Sequence, residues 1–253
     1  MIRVQNMKTG YFGEITFLAE EASFQEGAIS TIIGRNGSGK STFLKALAGQ
    51  RPYEGSILID GQELRDLDPW ERAGRIAYLP QNVRTVRLNV RTLAEHGRFS
   101  YHGTFRRLSK EDEKYVEEAL QLTGMKDYED RDLTCLSGGE LRRAYLAMVI
   151  AQNSSMILLD EPTTFLDIQY QEEFYRILEK LKEAGKGIIT ICHDIEQSFA
   201  YSDSIFLMEE HRLISGVKPE ELVWDERRLR ANFAVALKPS DRKDSLYPYV
   251  LIR

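Results

Sequence analysis

Cysteine is almost absent from this sequence of 253 residues, which contains only Cys135 and Cys192. The two cysteines have no metal-ligand spacing, and they do not form the even framework of a small disulfide-rich secreted domain. The simplest interpretation of both is a small buried apolar side chain. We therefore expect the chain to reside in a reducing compartment, the cytoplasm.

Long apolar runs are also missing. The longest, at residues 145–151, is far shorter than the ~20 residues that a membrane-spanning helix needs, and the N-terminal residues contain no apolar signal region. Internal repeats, low-complexity tracts and sustained heptads are absent as well. These absences predict one large or two small globular domains that are soluble when isolated.

Basic charge is not in excess, because 34 Lys and Arg residues oppose 39 Asp and Glu residues and give a formal net charge of −5. A nucleic-acid-binding domain normally carries a basic face or stripe. We therefore expect no nucleic-acid partner.

The most informative feature that is present is the string GRNGSGKS at residues 34–41, which fits the phosphate-binding pattern GxxxxGK[ST]. An apolar strand is predicted before it and a helix after it, so that phosphates would lie at a helix N-terminus. In this pattern Lys40 reaches the β- and γ-phosphates and the Ser41 hydroxyl can bind Mg²⁺. The predicted nucleotide-binding residues are Gly34, Arg35, Asn36, Gly37, Ser38, Gly39, Lys40, Ser41 and Thr42.

A pair of carboxylates, Asp160 and Glu161, follows the apolar run at residues 156–159. Carboxylates at the carboxyl end of a parallel strand face the crevice where ligands bind. Asp160 can complete a Mg²⁺ shell opposite Ser41, while Glu161 can accept a proton from an attacking water. Alone, such a pair also suits the start of a helix, but the phosphate loop upstream favours the catalytic interpretation.

The hydrophobic pattern predicts an α/β fold. Short alternating runs at residues 2–5, 14–18, 22–24 and 56–59 predict a small antiparallel sheet. Continuously apolar runs at residues 76–79, 156–159, 187–191 and 204–208 predict parallel strands that helices cover on both faces. Residues 90–135 are polar and helical in pattern, which predicts an inserted helical subdomain. Residues 247–252 contain a proline and predict an edge strand.

The segment Leu136-Ser137-Gly138-Gly139-Glu140 places a second glycine-rich loop directly before an amphipathic helix. By itself it predicts no more than a capping box, in which Ser137 accepts a bond from the N–H of Glu140 and Glu140 reaches back. Together with the phosphate loop and the Asp160–Glu161 pair, it resembles the signature loop of ABC-transporter ATPases.

The resemblance covers nearly the whole chain, and its motifs stand in the order of the family. Tyr11 matches the adenine-stacking aromatic, Gln81 the Q-loop, Asp167 the D-loop and His193 the switch histidine. The resemblance implies Glu161, His193, Gln81 and Lys40 as catalytic residues. It also implies Ser41, Gln81 and Asp160 as ligands of Mg²⁺.

A fold and a division of the chain follow from the same resemblance. It implies a P-loop NTPase core with a parallel sheet, an antiparallel β subdomain and an inserted α-helical subdomain. Residues 1–253 would form one ABC ATPase domain, in which residues 1–88 and 153–224 are the nucleotide-binding core with the antiparallel β subdomain. Residues 89–152 would be the helical subdomain, and residues 225–253 a C-terminal extension.

A mechanism and a set of partners are also implied. Two copies would pack head to tail, and each ATP would lie between the phosphate loop of one copy and Ser137, Gly138 and Gly139 of the other. ATP binding would close the dimer and hydrolysis would reopen it. The expected partners are a second copy, two membrane permease subunits and, indirectly, an extracytoplasmic substrate-binding protein. The chain would act at the cytoplasmic face of the membrane as a peripheral subunit.

The sequence departs from the family pattern in the signature loop and in a late hairpin. Glu140 stands where glutamine is usual, and we expect it to cap the helix because a carboxylate would oppose a nearby γ-phosphate. Leu141 replaces a commonly polar residue, and Arg142 and Arg143 follow it. Residues 209–213 lack the glycine often found in that hairpin, which leaves its turn type open.

Within the family, the chain looks most like the importer ATPases for ferric siderophores, ferric citrate, haem and cobalamin. The resembling segments are Gly97-Arg98-Phe99, Tyr101-His102-Gly103 and the D-loop at residues 163–168. The alternatives are a solvated loop with scattered aromatics, an ABC ATPase for another cargo, and a non-transport ABC protein. A regulatory module without turnover is disfavoured because Glu161 and His193 are both present.

Overall fold

The apolar runs of the sequence become the strands of one large mixed sheet. The structure is a computed structural model, which describes residues 1–11, 14–102, 108–164, 167–223, 226–233, 236–240 and 249–252. The strands of the sheet are Ile2–Tyr11 (β1), Glu14–Phe24 (β2), Ile29–Gly34 (β3), Glu54–Ile59 (β4), Gln62–Glu63 (β5), Ile76–Leu79 (β6), Met156–Leu159 (β7), Gly187–Ile191 (β8), Ser204–Glu209 (β9) and Arg212–Val217 (β10). Within the described residues their order is β5-β4-β1-β2-β10-β9-β3-β8-β7-β6.

The parallel half of the sheet forms as the apolar runs predict. Strand β3 pairs in parallel with β8 and β9, and β7 pairs in parallel with β6 and β8. Every residue of β3, β7 and β8 is buried, because helices cover both faces. The carboxyl ends of these strands therefore meet at one edge, where the phosphate loop, Asp160 and the segment before His193 begin.

The antiparallel half continues from the parallel half without a break in the sheet. Strand β1 pairs with β2 and β4, while β2 joins β10 through a single parallel bridge between Leu18 and Arg212. The antiparallel pairing predicted from the alternating runs is confirmed. The runs at residues 14–18 and 22–24 are one strand, because β1 pairs with β2 on both sides of Glu20 and Glu21.

Helices pack on the sheet and also form a bundle of their own. Their bounds are Lys40–Leu47 (α1), Pro69–Arg75 (α2), Val90–His102 (α3), Lys110–Leu122 (α4), Gly138–Ala151 (α5), Ile168–Glu183 (α6), Ile195–Tyr201 (α7), Pro219–Val223 (α8) and Glu226–Phe233 (α9). Helices α3, α4 and α5 share an apolar core that includes Val90, Val116 and Ala144. Among the helices that the structure describes, none is long and apolar enough to cross a membrane.

Short elements complete the described chain. Three 3-10 helices span Leu64–Asp66, Lys126–Tyr128 and Leu133–Cys135. Strands Ala236–Pro239 (β11) and Tyr249–Ile252 (β12) form a separate antiparallel pair. The strand predicted at residues 247–252 is thus present from Tyr249 onward, and Tyr247 and Pro248 lie outside the described residues.

The late hairpin between β9 and β10 keeps a tight turn without glycine. Glu209 pairs with Arg212 across a two-residue loop, and the loop residues Glu210 and His211 have φ angles of 43° and 62°. Two left-handed residues in a two-residue loop are typical of a type I′ turn, which fits the twist of the flanking strands. The absence of glycine therefore leaves the turn type unchanged and adds backbone strain.

Candidate functional site

The phosphate loop turns directly from β3 into α1 and carries a buried lysine. Gly39 precedes the helix with a left-handed φ of 104°, which suits glycine. The Lys40 ammonium donates to the backbone carbonyls of Gly34 at 2.8 Å and Arg35 at 3.0 Å. Burial lowers the pKa of Lys40, while the carboxylates of Glu161 and Asp160 oppose that shift. The ammonium is thus held inside the curve of its own loop.

Asp160 is a buried carboxylate that two hydroxyl groups hold in place. Ser41 Oγ donates to one carboxylate oxygen at 2.8 Å, and the Tyr78 hydroxyl donates to the other at 3.1 Å. Burial raises the pKa of Asp160, although the bonds from Ser41 and Tyr78 lower it. The structure therefore joins the predicted metal ligands Ser41 and Asp160.

Glu161 lies between the two predicted catalytic side chains from other segments. Gln81 Nε2 donates to one carboxylate oxygen at 2.5 Å, and His193 Nε2 lies 2.6 Å from the other. The Thr164 hydroxyl is 3.4 Å from the oxygen that Gln81 contacts. Glu161 has a φ of 47°, a left-handed conformation that costs free energy in a residue with a Cβ atom. Residues from the ends of β6, β7 and β8 thus converge on one carboxylate.

One cavity of about 440 Å³ is lined by half of the predicted site residues. Its lining residues are Asn36, Gly37, Gly39, Lys40, Ser41, Thr42, Gln81, Glu161 and His193. The predicted residues Arg35 and Ser38 line an adjacent cavity of about 400 Å³ beside the turn that contains Glu210. A larger groove of about 780 Å³ runs along β1, β2 and β10, and its described lining contains no residue of the predicted site.

The chemistry of the donor set fits Mg²⁺. Ser41, Gln81 and Asp160 supply a hydroxyl, an amide and a carboxylate, and oxygen ligands of these kinds suit this hard cation. The amide N–H of Gln81 donates to the Glu161 carboxylate, and the amide oxygen is the atom that can bind a metal. The oxygens of Ser41 and Asp160 already lie 2.8 Å apart, and a cation beside Asp160 would offset the cost of burying its charge.

The signature loop caps α5 and lies outside this cavity. Ser137 Oγ accepts from the backbone N–H of Glu140 at 3.3 Å, and the Glu140 carboxylate accepts from the N–H of Ser137 at 2.7 Å. The bonds that the Glu140 carboxylate accepts from the backbone and the side chain of Ser137 lower the pKa of Glu140. The expectation that Glu140 caps the helix is confirmed. Ser137, Gly138 and Gly139 are not among the described residues that line the cavity of their own chain.

Of the remaining predicted residues, one caps a helix and the others lie wholly or partly outside the described residues. Asp167 accepts a bond from the N–H of Tyr170 at 3.1 Å and so caps α6. Tyr11 ends β1, but its side chain lies outside what the structure describes. The same holds for the side chains of Tyr101 and His102, and the residues Gly103, Phe165 and Leu166 lie outside the description entirely.

The Gly97-Arg98 segment points into the helical bundle. Arg98 is 6% exposed, and its Nε donates to Asp112 at 2.8 Å while its Nη1 donates to the carbonyls of Ala151 and Gln152 at 3.0 Å. A Cβ atom on Gly97 would lie 2.3 Å from a carbonyl oxygen of α5. These two residues therefore join α3, α4 and α5 instead of forming a surface loop.

Two side chains that contact the site were not assigned a role from the sequence. Tyr78 stands in an apolar strand, where a buried hydroxyl needs a hydrogen-bond partner, and this need is the signal that could have found it. Arg142 was visible only as a charged residue after the signature loop. It is 5% exposed and donates to the backbone of Asp160 and Glu161.

The chain is similar to known proteins in sequence and in structure. Residues 20–164 match the family model described as ABC transporter. The petrobactin import ATP-binding protein FpuD of Bacillus anthracis is 37% identical over 227 residues, which are 88% of this chain and 82% of that protein. The ferric enterobactin transport ATP-binding protein FepC of Escherichia coli K12 is 36% identical over 230 residues, 89% of this chain and 84% of that protein. A solved dimeric ATP-binding cassette in a post-hydrolysis state, bound to ADP and Pi, is 27% identical with a TM-score of 0.75, and the match covers 87% of this chain and 99% of that one.

Proposed function

The chain belongs to the ABC transporter family, and from this premise we propose that it is the ATP-hydrolysing subunit of an importer for an iron chelate. Two of its relatives are named for the import of petrobactin and the transport of ferric enterobactin. These names support a siderophore as cargo. Ferric citrate, haem and cobalamin are the alternatives within the same subgroup. Another transport cargo or a non-transport role is the next alternative.

One observation carries the hydrolytic part of this proposal. Gln81, Glu161 and His193 come from three separate strand ends, and all three line the cavity that the phosphate loop forms. A carboxylate held by a histidine and an amide beside a phosphate-binding loop is suited to accept a proton from a water that attacks a phosphate.

We propose ATP as the substrate and Mg²⁺ as the cofactor, with Ser41, Gln81 and Asp160 as the residues that would hold the metal. When bound, the metal supplies positive charge that stabilises the transferred phosphoryl group. The backbone N–H groups at the start of α1 favour the phosphates of the nucleotide because unpaired donors and the helix dipole face them. Tyr11 would stack on the adenine.

The side chains of the site have distinct tasks in this proposal. On nucleotide binding, the Lys40 ammonium replaces its hydrogen bonds to the carbonyls of Gly34 and Arg35 by bonds to phosphate oxygens. There its positive charge balances the negative charge of the nucleotide. Glu161 accepts the proton of the attacking water, because its carboxylate oxygen beside His193 makes one contact within the described residues and has a further lone pair. His193 and Gln81 keep that carboxylate oriented.

We propose that two copies complete each site. Ser137, Gly138 and Gly139 begin α5 and would contact the nucleotide held by the phosphate loop of the second copy, with Asp167 close to that junction. A twofold head-to-tail pair has two such sites, and the dimeric relative supports this arrangement. ATP would favour the closed dimer because it contacts both copies only in that state.

The division of the chain and its partners are parts of the same proposal. Residues 1–88 and 153–224 would bind the nucleotide, residues 89–152 would form the helical subdomain that contacts the permease, and residues 225–253 would be an extension. Two permease subunits would hold the dimer at the cytoplasmic face of the membrane. An extracytoplasmic binding protein would deliver the cargo to them.

Two variants test the two-chain site. Lys40→Ala should weaken nucleotide binding and abolish hydrolysis, because the charge at the phosphates is lost. Ser137→Arg should also abolish hydrolysis but leave nucleotide binding to the monomer intact, because it blocks only closure. Nucleotide affinity would be measured by fluorescence titration and hydrolysis by phosphate release. An equal loss of monomer affinity in both variants would contradict the two-chain site.

Deletion of the gene tests the cargo. Growth should be impaired when iron is available only as a siderophore, and uptake of the labelled ferric chelate should fall. Uptake of labelled haem and cobalamin, measured in the same strain, separates the alternatives. Normal uptake of all three classes without a redundant importer, or co-purification with a permease for a different cargo, would reject the cargo and leave the ATPase assignment standing.

A further inference from the structure

The guanidinium of Arg142 uses all its hydrogen-bond donors on the backbone of the hydrolytic site. It lies on α5, five residues after Ser137, and is 5% exposed. An arginine side chain has five N–H donors, and five carbonyls accept from this one. The acceptors are the carbonyl oxygens of Pro162 at 3.2 Å, Pro80 at 2.6 Å, Gln81 at 2.8 Å, Asp160 at 2.9 Å and Glu161 at 3.1 Å.

The five carbonyls belong to two segments whose side chains meet. One segment ends in Gln81 and the other contains Glu161, and the Gln81 amide donates to the Glu161 carboxylate at 2.5 Å. Glu161 is also held in a left-handed conformation with a φ of 47°, which needs support from its surroundings. The Arg142 guanidinium therefore holds the backbones of both segments, while the side chains of Gln81 and Glu161 meet in the cavity.

The charge of this guanidinium has an unusual environment. Within the described residues its hydrogen-bond acceptors are neutral carbonyls. Burial lowers the pKa of Arg142 to about 10, although Asp160, Tyr78 and Glu161 oppose the shift, so that the group stays charged at neutral pH. A buried cation without a bonded carboxylate is costly, and loss of its planar donor set would release five carbonyls at once.

The neighbouring arginine has different contacts. The Arg143 guanidinium lies over the ring of Tyr170 at 4.5 Å, and it is 3.8 Å from Glu173 on α6. Within the described residues, Arg142 is the one of the two that donates hydrogen bonds to the Gln81 and Glu161 segments. It therefore links the signature helix to the backbone that carries the hydrolytic residues.

We propose that Arg142 is a positioning residue that couples the signature helix to hydrolysis, by holding the backbones of Gln81 and Glu161 so that their side chains meet. The inference rests on the proposed ATPase function. Ser137 and Arg142 are about 7.5 Å apart along the axis of one rigid helix, at 1.5 Å per residue. A displacement of Ser137 on dimer closure would thus move the guanidinium, and with it Glu161.

Substitution of Arg142 by glutamine and by lysine tests this role. Arg142→Gln should lower kcat by ~10–100-fold, because a displacement of about 1 Å in a reacting group costs as much, while KM for ATP and the nucleotide affinity of the monomer stay within about twofold. Arg142→Lys keeps the charge but has three donors, and it should recover part of kcat. Arg98→Lys, at an equally buried arginine, is the matched control, with kcat unchanged when the protein is folded.

The outcomes distinguish positioning from stability alone. Kinetics are measured at a temperature where circular dichroism shows each variant to be folded, and if the Gln variant does not fold, the Lys variant decides. A wild-type kcat in either folded Arg142 variant would overturn the proposal. A loss of kcat that only follows the folded fraction would overturn it as well.

A double variant adds a test that a purely structural role would not pass. If Arg142 acts through Glu161, then adding Arg142→Gln to Glu161→Gln should leave the residual hydrolysis unchanged. If hydrolysis by the double variant instead falls by the product of the two single-variant losses, the proposal is overturned. A wild-type protein without ATPase activity would instead reject the proposed function, so the two failures are distinguishable.

Discussion

Arg98 in the helical bundle and Arg142 beneath the hydrolytic site are almost equally buried, at 6% and 5% exposure. Arg98 binds the carboxylate of Asp112 and two carbonyls at the end of α5. Arg142 binds five carbonyls from two loops. The first arginine joins three helices to one another, whereas the second joins a helix to a backbone that carries catalytic side chains.

The buried carboxylates of the two regions, Asp112 in the bundle and Asp160 at the site, also differ. In the bundle, burial opposes ionisation of Asp112, but bonds from Ser109 and Arg98 hold its pKa at about 2. At the site, burial raises the pKa of Asp160 despite its bonds from Ser41 and Tyr78. The bundle thus satisfies its buried charges within the chain. At the site, the bonds to the Asp160 carboxylate do not offset the whole cost of its burial. This arrangement suits a region that must bind a cation.

The largest expected effect is at the site. Glu161→Gln should lower ATP hydrolysis by ~10²–10⁴-fold, because the amide cannot accept the proton of water. Nucleotide binding should persist, and an ATP-bound dimer should accumulate in size-exclusion chromatography. Glu179→Gln, at an exposed carboxylate on α6, is the control. Near-normal hydrolysis by the Glu161 variant would remove this residue from its proposed role.

The next effect belongs to the bundle. Arg98→Met should lower the free energy of unfolding by ~3–5 kcal/mol, because Asp112 is left as a buried carboxylate without its cation. Urea titration measures the loss, and kcat of the folded protein should not change. Arg176→Met, at an exposed arginine 4.0 Å from Glu172, should cost less than ~1 kcal/mol. A fall in kcat without a loss of stability would reverse the roles assigned to the two arginines.

Acid should destabilise the fold by protonating Asp112, the carboxylate of the pair with Arg98. The pKa of Asp112 in the folded chain, about 2, lies below its ordinary value of 3.8, so the group stabilises the fold above about pH 4 and this contribution is lost as pH falls toward 2. The loss is about 2 kcal/mol at 1.36 kcal/mol per pKa unit. Asp112→Asn should therefore show a flatter decline of unfolding free energy between pH 4 and pH 2. Parallel curves for the two proteins would contradict the assignment.

The smallest effect concerns backbone strain beside the phosphate loop. Replacing Glu210 by Asn and His211 by Gly should raise the free energy of unfolding by ~1 kcal/mol, because these residues suit a type I′ turn. The hairpin between β4 and β5 already has Asp60-Gly61, with φ angles of 50° and 82°. Gly61→His is the matched reverse change, and it should cost ~1 kcal/mol. Thermal unfolding in which both variants shift in the same direction would contradict this explanation.

Much of the site was predictable because its chemistry depends on contiguous residues. The phosphate loop needs glycines and a lysine at fixed spacing, and the parallel strands need continuous apolar runs. The capping role of Glu140 followed from its distance to Ser137, and the bonds between them confirm it. Tyr78 and Arg142 were not assigned because their partners are distant in the sequence.

The subgroup segment shows a further limit of sequence patterns. Gly97 and Arg98 resemble a segment of the iron-chelate importer ATPases, and their positions predicted neither exposure nor burial. In the structure Gly97 allows a close approach of α3 to α5, and Arg98 binds Asp112 between the helices. In this chain the two residues therefore serve the packing of the bundle, because only the packed helices bring these groups together.

The sequence by itself determined the phosphate loop, the parallel strands and the membership of the chain in its family, since each depends on residue types at short and fixed spacing. The tertiary structure alone decided that Gln81 and His193 meet at Glu161 and that Arg142 supports two loops. These contacts join residues 18 to 80 positions apart, and their geometry exists only when parallel strands bring their carboxyl ends to one edge. No local pattern encodes that convergence, because the burial and packing of the whole sheet create it.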